Sequence, residues 1–167
     1  MADWNSDERL LAHVVGSADR AGLEVILIGN AAAVLHGAPV TTQDLDFFFR
    51  ETPRNLQKLA VMAQELDVII TQPALPASNV RRLVGLPVDV DLLSHLSGGL
   101  RFESVRSRAV VKRVGAQAVC VASLDDLILT KRAAGRPKDL LVLPALENTR
   151  RVLAALEETD DAPPDQS

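Results

Sequence analysis

Two stretches of the chain alternate acids with apolar residues, and this pattern limits what the chain can fold into more than any other feature does. In Asp44-Leu45-Asp46-Phe47-Phe48-Phe49 and in Val88-Asp89-Val90-Asp91-Leu92-Leu93 the acids stand two apart. A period of two is that of a β-strand, so Asp44 and Asp46 leave one face while Leu45, Phe47 and Phe49 leave the other. Carboxylates ~6–7 Å apart beside an apolar run repel each other and lose hydration, an arrangement that a cation relieves. A plainer role exists for each pair, that of acids on an exposed strand edge that discourage pairing with other chains.

Around these strands the sequence predicts an α/β (α+β) fold, a mixed central sheet flanked by helices and followed by C-terminal helices. Ser6 is placed to cap a helix over Asp7 to Arg20, where Leu10, Leu11, Val14, Val15 and Ala18 recur at helical spacing and Gly22 supplies a stop. Leu23 to Ile28 reads as a buried strand, Gly29-Asn30 as its turn and Ala31 to His36 as a short helix broken by Gly37-Ala38-Pro39. Thr52-Pro53 suits the cap and first position of a helix reaching Leu66. Val68 to Ile70 reads as a third strand, with a Pro-containing loop from Thr71 to Ser78. Val80 to Val84 and Val88 to Leu93 form a hairpin joined by Gly85-Leu86-Pro87, and a short helix lies around Phe102 to Arg106. Ala109 to Val114 pairs with Gln117 to Val121, and Ser123 caps a helix that ends at Gly135. Pro137 starts a last helical stretch that Pro144 kinks or splits into about 138–143 and 145–157.

Residues 1–157 are thus expected to form one domain, and 158–167, acidic and carrying Pro163-Pro164, a disordered tail. A chain of 167 residues can bury a core without staples, and with aromatics at only 3% that core must be mainly Val, Leu, Ile and Ala. Cys120 is the single cysteine, set in an apolar run as a small hydrophobe rather than a nucleophile. The acidic, polar N-terminus lacks the basic and apolar regions of a secretory signal, which points to the cytoplasm. Val25 to Gln43 carries no charge, yet its Gly29, Asn30, His36, Gly37 and Pro39 fit strand, turn and helix rather than a membrane span. The net charge of −4 argues against a protein that coats nucleic acid. Residues 101–138 nevertheless hold nine basic side chains against three acids, either a solvated face or a surface for phosphates.

Carboxylates from neighbouring strands suit Mg²⁺ (or Mn²⁺), which wants hard oxygen ligands and keeps positions open for water and substrate phosphates. Gly29-Asn30 lies where a strand hands over to a helix, a place where unpaired backbone N–H groups attract phosphate and glycine admits close approach. His36 fits a helix end better than a metal ligand, since neither His13 nor His95 stands at ligand spacing from it.

The order of these parts is more specific than any one of them. Leu27-Ile28-Gly29-Asn30, then Asp44-Leu45-Asp46, then Val90-Asp91-Leu92-Leu93 resembles the polymerase-beta-type nucleotidyltransferases over about residues 23–150. Val121 to Ile128 followed by Lys131-Arg132-Ala133-Ala134-Gly135-Arg136-Pro137-Lys138-Asp139 resembles the AbiEii-like, toxin–antitoxin branch of minimal nucleotidyltransferases. The resemblance implies Asp44, Asp46 and Asp91 as metal ligands, Asp91 also as base for the attacking hydroxyl, and Asp89 as a neighbour. It further implies Gly29, Asn30 and Lys131 at the nucleotide, with Arg136 and Asp139 in a supporting ion-pair network. The sequence departs from the family pattern at Asn30 (a small Gly or Ser), Val40 (Arg) and Val142 (a second Asp).

The expected activity is transfer of a nucleoside monophosphate from an NTP, such as ATP, to a hydroxyl. RNA, especially a tRNA end, a protein side chain or a small molecule such as an aminoglycoside would be the acceptor, and a partner such as an antitoxin protein could complete the site. The contrasting expectation, which Asn30 and Val40 favour, is a silent member of the fold, a binding module or nucleotide sensor without turnover.

Overall fold

The computed structural model describes residues 4–73 and 79–160. Its elements run α1 (Trp4–Ala21), β1 (Ile26–Ile28), α2 (Gly29–Leu35), β2 (Asp44–Phe48), α3 (Pro53–Glu65), β3 (Ile69–Thr71) and β4 (Val80–Val84). They continue β5 (Asp89–Leu93), α4 (Phe102–Arg108), β6 (Val110–Val114), β7 (Gln117–Val121), α5 (Leu124–Ala134) and α6 (Pro137–Asp160). The strands form one mixed sheet in the order β3-β4-β5-β2-β1-β7-β6. The pairs β2/β5 and β1/β7 are parallel and the other four antiparallel. Both acid-bearing strands therefore lie side by side at the middle of the sheet, so neither Asp pair is on a sheet edge.

The core is aliphatic with one aromatic centre, as the scarcity of aromatics requires. Phe47, Phe48 and Phe49 are all buried, and Phe48 meets Phe102 of α4 with ring centroids 5.4 Å apart and planes tilted by 55°. Leu27, Val90, Leu92 and Val121 fill the sheet interior around them. On the helices, α1 packs against α3, β6 and β7, α2 lies on β1 and β2, and α5 contacts α2 and α6. Among the described residues no helix is long and apolar enough to cross a membrane.

Caps and turns fall where their chemistry puts them. The Asn55 N–H donates to Thr52 Oγ1 at 3.1 Å and the Asp126 N–H to Ser123 Oγ at 3.2 Å, each tying down a first-turn amide. Gly135 closes α5 at φ 62°, the left-handed conformation that glycine adopts without penalty.

Several boundaries differ from the sequence expectation. Helix α1 already runs from Trp4, which puts Ser6 inside it rather than at its cap. Strand β1 starts at Ile26, not Leu23, because the Leu23 N–H donates back to the Ala18 carbonyl at 2.9 Å in the turn that ends α1. Helix α2 begins at Gly29 itself. Helix α6 is continuous through Pro144 and extends to Asp160, past the point where the tail was expected to begin. Pro144 is exposed, so its ring lies on the solvent side of the helix. Residues 161–167 of the expected tail, and 74–78 of the Pro-containing loop, lie outside the described residues.

Candidate active site

The parallel register of β2 and β5 sets Asp44 opposite Asp89 and Asp46 opposite Asp91. Registered residues on adjacent strands project to the same face, so all four carboxylates share one side of the sheet. Asp91 is 14% exposed at its side chain and Asp89 60%, which makes Asp46 and Asp91 the inner pair. Asp46 feels the crowding most. Burial, and then the charges of Asp91 and Asp44, push its carboxyl up to about 6, against a smaller opposing pull from Lys131 and Lys138.

Strand β1 runs antiparallel on the other side of β2, with Ile28 registered against Asp46. The residue that follows, Gly29, turns the chain into α2 at φ 70°. A Cβ built on Gly29 would stand 2.8 Å from Asp46 Oδ2, so only a glycine lets this backbone lie against the carboxylate. Asn30 turns its amide the other way, its Nδ2 donating to the Thr41 carbonyl at 3.0 Å while its buried Oδ1 has no partner. That bond straps α2 to the segment leading into β2. One residue on, the Thr42 hydroxyl donates to the Asp44 carbonyl at 2.8 Å. The far end of α2 is held as well, because His36 Nε2–H donates to the Ala122 carbonyl at 2.8 Å beyond β7. Burial lowers the His36 pKa, in keeping with a neutral, structural imidazole.

Lys131 enters from α5. Its Nζ lies 3.5 Å from Asp139 Oδ1 of α6, both side chains nearly buried, and Arg136 Nε donates to Asp139 Oδ2 at 2.5 Å. Burial by itself would raise the Asp139 pKa. The Arg136 hydrogen bond and the charges of Arg136 and Lys131 outweigh it and hold the carboxyl below its usual value. Burial is also the largest influence on Lys131, and lowers it. Asp139 thus anchors Lys131 across the α5/α6 junction, within electrostatic reach of Asp46. Arg136, 60% exposed, serves Asp139 and not the carboxylate face.

The structure adds a residue that sequence reasoning did not single out. Arg82 of β4 is registered opposite Asp91 in the antiparallel β4/β5 pair. Its Nε and Nη2 each donate to a different oxygen of Asp91 at 2.8 Å, and Nη1 stands 3.5 Å from Asp89. Among the described residues no group of three His, Cys, Asp or Glu side chains is gathered closely enough to hold a metal as it stands. Both oxygens of Asp91 face the Arg82 guanidinium. The donor set itself, hard carboxylate oxygens crowded enough to disfavour ionisation at Asp46, suits a divalent cation of the Mg²⁺ type.

Much of the basic segment is internally neutralised. Arg106 pairs with Glu24, Arg108 with Asp126, Arg132 with Glu147, and Lys131 and Arg136 with Asp139. Five of the nine cations are therefore engaged with acids of the same chain, which favours the solvated-face explanation for that stretch.

No family model matches the chain, and no curated protein does. Solved structures do. The complex of ANT(2'')-Ia with adenylyl-2''-tobramycin aligns with a TM-score of 0.61 at 14% identity, covering 92% of this chain and 98% of that one. The solution structure of the same antibiotic-resistance factor aligns at 0.60, covering 93% and 97%. The lincosamide antibiotic adenylyltransferase LnuA, with lincomycin bound, aligns at 0.61 and 12% identity, covering 83% and 95%. At such identities the likeness is one of architecture, and the chain has the nucleotidyltransferase fold.

Proposed function

We propose that this chain is a nucleotidyltransferase that moves a nucleoside monophosphate from an NTP to a hydroxyl acceptor, with Asp44, Asp46 and Asp91 as its chemical centre. The observation that carries this reading is the β2/β5 register, which sets two Asp pairs on one face beside the Gly29 turn. An interior strand pair has little structural use for four acids, and burying Asp46 beside Asp91 and Asp44 is a cost that function would explain.

In the proposed reaction the acceptor oxygen bonds to the α-phosphorus, the bond from that phosphorus to the leaving oxygen breaks, and pyrophosphate departs. The hydroxyl proton passes to a carboxylate, for which Asp91 is the candidate. Asp44, Asp46 and Asp91 would hold Mg²⁺ or Mn²⁺, which when bound lowers the charge on the phosphates and the acidity barrier of the hydroxyl. Lys131, fixed by Asp139, supplies a point charge for the phosphate chain. Gly29 lets its backbone lie directly against Asp46, and Asn30 acts through the strap to Thr41 rather than as a cradle of its own.

For the acceptor, the solved neighbours favour a small-molecule hydroxyl, since one is a complex with an adenylylated aminoglycoside and the other binds lincomycin. RNA, a tRNA end, or a protein presented by an antitoxin-like partner belong in the same assay. The test is incubation with each labelled NTP and Mg²⁺ against an acceptor panel of aminoglycosides, lincosamides, total RNA and cell lysate, for wild type and Asp46→Asn. Label transfer with pyrophosphate release that vanishes in the variant is expected; transfer that persists in it rejects the site.

A second reading, a nucleotide-binding module without turnover, is favoured by one specific observation, the capture of both Asp91 oxygens by Arg82. It predicts NTP affinity with no pyrophosphate release from any acceptor.

A further inference from the structure

We propose that Arg82 is a latch on the third carboxylate, holding Asp91 while the site lacks a cation and yielding it only when a divalent ion displaces the guanidinium. This rests on the cation-binding reading of the carboxylate face and adds a residue to it.

Arg82 and a divalent cation would compete for the same carboxylate. Asp91 is nearly enclosed, and the two oxygens it could offer a metal are the two that accept from Arg82 Nε and Nη2 at 2.8 Å. A fork-to-fork guanidinium–carboxylate pair is among the stronger side-chain contacts, and arginine cannot relax it by losing its proton. Each oxygen keeps a second lone pair, but a cation that took one would set its charge against the adjacent guanidinium, so pairing and ligation oppose one another at this residue.

The placement of Arg82 fits a latch better than a plain structural pair. It stands on the far side of Asp91 from β2, registered opposite it, and its third guanidinium nitrogen reaches toward Asp89. One permanent positive charge thus serves both β5 acids, the position in which it best offsets the excess of negative charge on this face. Arg82 is also 40% exposed, so the released guanidinium can move into solvent without burying an unpaired charge. Once free beside the carboxylate face, the same planar fork suits phosphate oxygens. Entry of the cation and binding of an NTP would then assist each other, since the cation vacates the fork that the triphosphate takes.

The experiment is titration of Mn²⁺ into the full-length protein without nucleotide, read by calorimetry and by the electron paramagnetic resonance of free Mn²⁺. Wild type, Arg82→Gln, Arg82→Lys and Asp46→Asn are compared after circular dichroism has verified their fold. Arg82→Gln should bind Mn²⁺ about tenfold more tightly than wild type or better, because the competitor for Asp91 is gone. Arg82→Lys, which cannot hold both oxygens in a fork, should fall between the two, and carries the test alone if the glutamine variant is unfolded. A merely structural Arg82 would, on removal, weaken Mn²⁺ binding or leave it unchanged, and either result overturns the latch. If wild type binds Mn²⁺ and Asp46→Asn does not, while the Arg82 variants match wild type, the latch fails and the proposed function stands. Absence of Mn²⁺ binding in every variant removes both.

Discussion

Gly29 shows what a single side chain, or the lack of one, decides at this site. The residue needs φ 70° to turn β1 into α2, and the space where a Cβ would go is taken by Asp46. Gly29→Ala should therefore carry two separable costs, about 1 kcal/mol or more for a left-handed backbone and a further one for driving the carboxylate aside. Urea denaturation of the four members of a double-mutant cycle with Asp46→Ala separates them. In the Asp46→Ala background the second cost should disappear, and an equal loss in both backgrounds would show that Gly29 and Asp46 do not contend for the same space. Transfer activity of Gly29→Ala should fall more steeply than its stability, because the displaced group is the most crowded carboxylate. Gly29 was legible as a turn beside the site; its direct contact with Asp46 follows from strand order, which the residues alone do not state. The strap from Asn30 to Thr41 was equally out of reach, since it joins two segments that come together only when β1 and β2 pair.

At the scale of elements, most strands and helices could be read from local signals, because each carries its own cap or alternation. Thr52, Ser123 and Gly135 marked their boundaries by chemistry that acts within four residues. Register was harder. Closing the β4/β5 hairpin with the three residues Gly85 to Pro87 would set Arg82 against Val90, on the apolar side. The connection between the strands is one residue longer, with β5 starting at Asp89, and Arg82 faces Asp91 instead. A slip of one residue in a strand exchanges its faces, so the latch depended on a single position in a turn. Pro144 does not split the helix, a strong local breaker overridden by packing. Asp139, Leu143, Leu146 and Thr149 form a buried stripe on both sides of it, and Arg150 reaches Asp125 of α5 at 2.8 Å. Since the proline sits on the exposed face of a continuous helix, Pro144→Ala should restore an N–H and remove the ring clash. A gain of about 1–2 kcal/mol is expected, the helix-interior cost of proline less what its rigidity saves in the unfolded chain. A lower urea midpoint would mean instead that α6 is shaped around the proline.

At the scale of the whole molecule the carboxylate face couples stability to pH and to cations. Native Asp46 keeps its proton up to about 6, whereas an aspartate in the unfolded chain releases it near 4. Between these values the native state holds more protons than the unfolded one, so this group's contribution to stability is largest below about pH 4 and declines as pH rises, ending near 6. A shift of this size corresponds to about 2–3 kcal/mol across the window. His36 works against it, because a buried imidazole with a lowered pKa resists protonation and loses stability as pH falls below its usual value near 6.5. The wild-type profile alone is therefore ambiguous, and the informative quantity is its difference from Asp46→Asn, in which His36 is unchanged. That variant should be the more stable of the two above about pH 6 and should lose the Asp46 slope. Saturating Mn²⁺ should reverse the order, because a cation binds the ionised carboxylate and stabilises only the state that presents it. Melting temperatures from about pH 4.5 to 8, with and without Mn²⁺, decide the matter: the cation-induced rise should grow through pH 6 in wild type and be absent in Asp46→Asn. The same rise in both proteins would place the cation elsewhere on the chain, whereas its confinement to wild type would place it at Asp46.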